Sequence, residues 1–123
     1  MSLTDARSVL LAALEAASIR AYYGWGPFVA PCARVMPSEP WVANSGLLGG
    51  KRAQSWEVWA VAGRTDSGAT YDELEGLVVE VNKAIDGLPQ WSHVEWHRPA
   101  SVDMGGGNRY LAARGIIETR MEV

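Results

Sequence analysis

The residues best placed for chemistry in this sequence form the run His93-Val94-Glu95-Trp96-His97. On an extended strand, residues two apart share a face, which would project His93, Glu95 and His97 together. Two imidazoles and a carboxylate are ligands of the kind that zinc or iron takes. Against this, successive side chains on one strand face stand roughly 6.6 Å apart, too far for three of them to grip one ion unaided. Val94 and Trp96 are therefore expected to pack inward, leaving the polar trio as an ordinary outer face. No metal or other cofactor is expected.

The remaining candidates for chemistry are weaker. Cys32, the single cysteine, lies in Pro31-Cys32-Ala33 with no helix N-terminus or adjacent base to activate it, so a buried, inert thiol is expected. One cysteine cannot form an internal disulfide, which suits a reducing cytoplasm and gives no sign of secretion. No G-x-S-x-G elbow is present. Gly105-Gly106-Gly107 lacks a following Gly-Lys-Ser/Thr and precedes a strand, so it is not a phosphate loop. The sequence holds no catalytic constellation, and no enzyme activity is expected.

The elements that would position these residues follow from periodicity. Leu3, Ala6, Leu10, Ala13, Leu14 and Ala17 form one helical stripe, with Thr4 as the expected N-cap and Asp5 in the first turn. A charged, interrupted N-terminus of this kind reads as a helix rather than a signal peptide. Ile19–Tyr23 reads as a short strand stopped by the turn Gly24-Trp25-Gly26-Pro27. Pro27, Pro31, Pro37 and Pro40 exclude a helix from 28–40 and leave Ala33–Met36 as a strand at an edge or bounded by prolines. The stretch Asn44 to Arg52 is glycine-rich and is expected to be a mobile loop exposing Leu47 and Leu48 beside Lys51 and Arg52.

Gln54–Gly63 is the clearest strand. Trp56, Val58, Ala60 and Ala62 fall on one face and Glu57, Trp59 and Val61 on the other, so both faces need cover and the strand is expected to be central. A second helix follows the turn at 64–69. Thr70 and Glu73 are expected to form its capping box, Leu74, Leu77, Val78, Val81, Ile85 and Leu88 its apolar stripe, and Gly87 and Pro89 its stop. Trp91–His97 alternates as a strand, 99–107 reads as a loop, and Asn108–Val123 is the last strand. The order α-β-β-β-α-β-β predicts an α+β fold: a two-layer sandwich in which two helices cover one face of a mainly antiparallel sheet.

Length and charge narrow the function classes. The chain has 123 residues, 48% hydrophobic and 20% charged, which suits one globular domain over 1–123 and excludes a two-domain enzyme, a repeat array or a membrane channel. With 11 basic and 14 acidic residues it lacks the basic surface of a dedicated nucleic-acid binder. No run of eighteen apolar residues exists to span a bilayer. The six tryptophans exceed what one helix-covered face can hide. That surplus predicts either an interface, where tryptophan, tyrosine and arginine concentrate, or a second small cluster under the proline-rich segment. Arg34, Lys51, Arg52, Arg64, Arg98 and Arg109, assigned to loops and strand ends, contrast with the acidic second helix. Opposite-sign patches of this kind suit head-to-tail packing of identical subunits into a ring.

The whole chain resembles the tail-terminator proteins of long-tailed bacteriophages, similar in plan to the lambda-type terminator. The resemblance lies in the N-terminal amphipathic helix with LTDARSVLLAALEAA, three strands with the loop GLLGGKRAQ before QSWEVWAV, a capped helix from Tyr71 to Leu88, and two closing strands. It spans nearly all of the chain and rests on pattern, without a diagnostic motif. It implies a structural protein of the virion, assembled in the host cytoplasm as a hexameric ring on the last ring of the tail tube. Such a ring ends tube polymerisation and presents the surface that joins tail to head. The implied partners are other copies of the chain, the tail tube protein and a head-to-tail connector or stopper protein. DNA would pass through the lumen without sequence-specific binding, and no membrane is involved.

By that resemblance the loops 44–52 and 99–108 would meet neighbouring rings or line the channel. The expected interaction residues are Leu47, Leu48, Lys51, Arg52, Trp59 and Arg109. The constrained 28–40 segment and the tryptophan content depart from the pattern and leave another neck component, a head-completion, stopper or adaptor protein, as the near alternative. A small metal-binding protein using His93, Glu95 and His97 and a monomeric peptide-binding module are the further alternatives.

Overall fold

A computed structural model describes residues 3–44, 51–64, 67–89, 91–104 and 107–122. The chain forms α1 (Leu3–Ala16), β1 (Ala21–Tyr23), β2 (Cys32–Asn44), β3 (Lys51–Val61), α2 (Gly68–Asp86), β4 (Glu95–Trp96), β5 (Ala100–Asp103) and β6 (Arg109–Glu122). The strands make one sheet in the order β1-β2-β3-β6-β4, with β5 also paired to β6. Every pairing is antiparallel except β1 with β2, which is parallel. The fold is α+β, two helices on a mostly antiparallel sheet, with the added strand β5 in the segment expected to be loop.

The main core lies between the helices and one sheet face. Ala6, Leu10 and Leu14 of α1 and Val81 and Ile85 of α2 pack with Val35, Trp56, Val58 and Ile117. α1 covers the β1–β2 side and α2 the β3–β6 side. The other face carries a smaller cluster in which Cys32, Val61 and Ala112 are covered by Phe28, Ala30, Val102, Met104 and Tyr110. This second layer explains why β3 is apolar on both faces: Trp56 lies in the main core, and Trp59 packs against the second cluster.

Several boundaries differ from the sequence expectation for physical reasons. α1 begins at Leu3, so Thr4 lies inside it. α1 ends in a left-handed Ser18 (φ 63°), whose N–H donates to the Glu15 carbonyl while the Ile19 N–H donates to the Leu14 carbonyl. This is a Schellman closure with its usual apolar contact, here between Ile19 and Leu14 in the core, and it delays β1 until Ala21. Ser67, not Thr70, caps α2, accepting a hydrogen bond from the Thr70 N–H; Thr70 is buried in the first turn.

β2 runs straight through Pro37 and Pro40. β1 covers only Ala33–Val35 of it, so both prolines fall where β2 has lost that neighbour, and the ladder to β3 slips between Pro37 and Val42. Asn44, Lys51 and Arg52, expected in a loop, are strand residues: Asn44 pairs with Arg52, and Lys51 pairs with Glu122. Leu47 and Leu48 lie outside the described residues.

Candidate interaction surface

Arg34 organises the face of the sheet opposite the helices. β2 places it directly across from Trp59, inside the strand and fully buried rather than at a loop or strand end. Its Nε and Nη2 donate to the Gly24 carbonyl at 2.9 and 2.7 Å, and Nη2 donates again to the Gly26 carbonyl at 2.8 Å. The guanidinium is sandwiched between two rings, 4.7 Å from the Trp25 centroid and 4.5 Å from that of Phe28. Burial pushes its pKa below the ordinary arginine value. No carboxylate among the described residues pairs with it, and its Nη1 has no hydrogen-bond partner there. Three hydrogen bonds to two carbonyls, and two aromatic faces, replace the counter-ion.

The effect is to hold the Gly24–Phe28 turn in one place. Gly24 supports it with a positive φ of 83°, where a side chain would be strained. Trp25 packs edge-on to Trp59 at 5.5 Å yet stays 51% exposed. Trp59 donates its indole N–H to Glu57 at 2.9 Å, and Glu57 meets Arg114 at 3.5 Å. An exposed tryptophan is thus held by a chain of contacts reaching across three strands.

The helix side of the same edge is also aromatic. Trp41 packs edge-on to the buried Trp56 at 5.8 Å, and Tyr23 lies 6.4 Å from it. The Arg7 guanidinium sits 4.6 Å over the Tyr23 ring. Tyr23, Trp25, Val29 and Trp41 are all exposed and all belong to β1, β2 or the segment joining them. Exposed aromatic and apolar side chains gathered on one sheet edge, on both of its faces, make this edge the candidate interaction site.

The other expected residues are distributed differently. Arg109, at the start of β6, donates through Nε and Nη2 to the Ser101 hydroxyl and carbonyl, and Arg64 donates to Asn108 Oδ1 at 2.7 Å. Arg109 pairs with Asp103 of β5, while Trp59 lies in β3 between Arg34 of β2 and Arg114 of β6.

His93, Glu95 and His97 do not converge. His93 Nδ1 lies 2.8 Å from Asp86 Oδ1 at the end of α2, with the imidazole almost wholly exposed. Ser92, His93, Val94 and Glu95 line an open cleft with Ile116 and Glu118 of β6. Among the described residues, no three His, Cys, Asp or Glu side chains come close enough to hold a metal ion. Val94 and Trp96 pack towards the helix-side core, and Trp96 donates its indole N–H to Asn82 of α2 at 2.8 Å.

Cys32 is buried, and burial pushes its thiol up to about 11 against an ordinary 9.0, with Arg34 and Arg20 opposing the shift. The folded state therefore holds the proton more tightly than the unfolded chain. Stability from this group is complete below pH 9 and is lost as pH rises towards about 11. The loss is of the order of 2–3 kcal/mol. Urea unfolding at pH 8 and pH 11 should show a smaller pH-dependent loss in Cys32→Ala than in the unsubstituted protein. Equal losses in the two proteins would remove the thiol from the account.

The arginine cage was not legible in the sequence, because Arg34 reads as one more basic residue until the turn ten positions earlier is folded over it. The nearest signal is an arginine in a strand flanked by Cys32 and Met36 on its own face. No known protein family's sequence model matches this chain, and no curated protein matches it significantly.

Proposed function

We propose that this protein is a ring-forming structural subunit of a long-tailed bacteriophage, a tail terminator that caps the tail tube. The observation that carries the reading is the rigid aromatic edge. Tyr23, Trp25, Val29 and Trp41 stand exposed along one flank of the sheet, and Trp25 is held there by a fully buried arginine. Preorganised tryptophan and tyrosine beside arginine is the composition of an interface hot spot. The element order, with two helices over a mostly antiparallel sheet and a long β2–β3 hairpin, supports the same reading through its resemblance to tail terminators.

In this role the protein does no chemistry. About six copies close into a ring on the final ring of tail tube protein, leaving no face on which another tube ring can add. The far face of the ring receives the connector or stopper protein of the head. DNA passes through the lumen, which needs no sequence-specific contact.

Native mass spectrometry over a rising concentration series, paired with negative-stain imaging, tests the proposal. Closed rings of about six subunits are the expected product. Rings that also halt polymerisation of tail tube subunits from the same virus support the terminator role over another neck component. A protein that remains monomeric through the whole series overturns the ring reading.

A further inference from the structure

We infer that the ring closes head to tail, with the β1–β2 edge of one copy seated on the outer face of α2 of the next. The inference rests on the ring reading above and names the two surfaces that make it.

Among the described residues, the exposed large apolar side chains fall into two groups. Tyr23, Trp25, Val29 and Trp41 lie on the β1–β2 edge, and Tyr71 and Val79 lie on α2. The two groups occupy opposite flanks, since α1 packs over β1 and β2 while α2 packs over β3 and β6. A head-to-tail contact needs two different patches on opposite sides; a two-fold contact would need one self-complementary patch.

Charge matches the two flanks. α2 carries Asp72, Glu73, Glu75, Glu80 and Asp86 against Lys83 alone. Among the described residues, no ion pair involves Asp72, Glu73 or Glu75. Tyr71, Glu75 and Val79 follow one another at four-residue spacing, so an apolar pair brackets a free carboxylate on one stripe. On the other flank, the exposed charges of the stretch 20–42 are Arg20 and Glu39, and Arg7 of α1 leans on Tyr23, which leaves the aromatic edge without the acidic run that α2 carries. An aromatic edge with arginines meets an acidic helix bearing two apolar side chains. The buried guanidinium gains a role in this arrangement: it keeps Trp25 from rearranging before the neighbour arrives, which lowers the ordering cost of association.

Two doubly substituted chains test this. Arg20→Glu with Val29→Glu blocks the edge, and Tyr71→Glu with Val79→Glu blocks α2, so the two blocked surfaces also repel each other; all four positions are exposed, and unchanged circular dichroism and melting confirm folding. Each chain alone should assemble at least about tenfold more weakly than the unsubstituted protein. Mixed in equal amounts, they should form a one-to-one dimer that grows no further, because the pair has one intact edge and one intact helix face between them. Rings formed by either variant alone, or a mixture that stays monomeric, would overturn the assigned surfaces while the ring itself stands. Failure of the unsubstituted protein to assemble is the separate result that removes the ring.

Discussion

Replacing Arg34 with alanine should lower the unfolding free energy by about 3–5 kcal/mol, because the guanidinium ties β2 to the Gly24–Phe28 turn from a fully buried position. The substitution removes three charge-assisted hydrogen bonds and strands the Gly24 and Gly26 carbonyls. It also empties the slot between the Trp25 and Phe28 rings. For a domain of this size that loss corresponds to a fall in melting temperature of roughly 10–20 °C. Arg34→Met separates the contributions. It fills the slot without a buried charge, so it should cost less than alanine. Arg34→Lys keeps the charge but lacks the planar fork that serves two carbonyls and two rings, and should cost more than methionine. Urea unfolding of the three variants checks the order. Alanine within 1 kcal/mol of the unsubstituted protein would show that the cage contributes little, and a methionine variant worse than alanine would refute the slot as the packing element.

The same arginine marks where sequence reading stops. A stripe such as Leu74, Val81 and Ile85 declares a helix because its period is local, and Trp56 and Trp59 announce two covered faces because their spacing is odd. What covers the second face is the segment 25–30 folded back over β2, together with Val102, Met104 and Tyr110, and no period in β2 encodes that. β1 shows the same limit: three residues paired in parallel to β2 carry no pattern that separates parallel from antiparallel. β5 carries no signal of its own, because its four residues owe their conformation to β6, six to twelve positions onward. Ser67 and Thr70 are both caps by type, and only the burial of Thr70 settles which one turns the chain. For the interaction surface, the surplus of tryptophan was legible as a surplus. Its division into a buried Trp56, a braced Trp59 and an exposed Trp25 was not, because each depends on the partner brought to it by the fold.

Gly115 illustrates the converse, a residue whose importance is purely the space beside it. It lies in β6 between Val58 of β3 and Trp96 of β4, with backbone angles that any residue can adopt. Judged by local preference alone, alanine should be slightly better there than glycine. A Cβ at that position, however, would overlap Val94 Cγ1 and stand 3.0 Å from two ring carbons of Trp96. Neither neighbour is free to retreat: Val94 packs against the main core, and the Trp96 indole N–H is bonded to Asn82 of α2 at 2.8 Å. Steric overlap therefore outweighs propensity, and Gly115→Ala should cost about 2–3 kcal/mol. Val94→Ala withdraws the closest atom, so the double variant should be more stable than the sum of the single losses by about 1 kcal/mol. Strict additivity in urea unfolding would show that the strain is absorbed elsewhere. Because Trp96 ties β4 to α2, the overpacked single variant should also disturb the helix proposed to receive the neighbouring copy, and its assembly should weaken in step with its stability and recover when Val94 is trimmed.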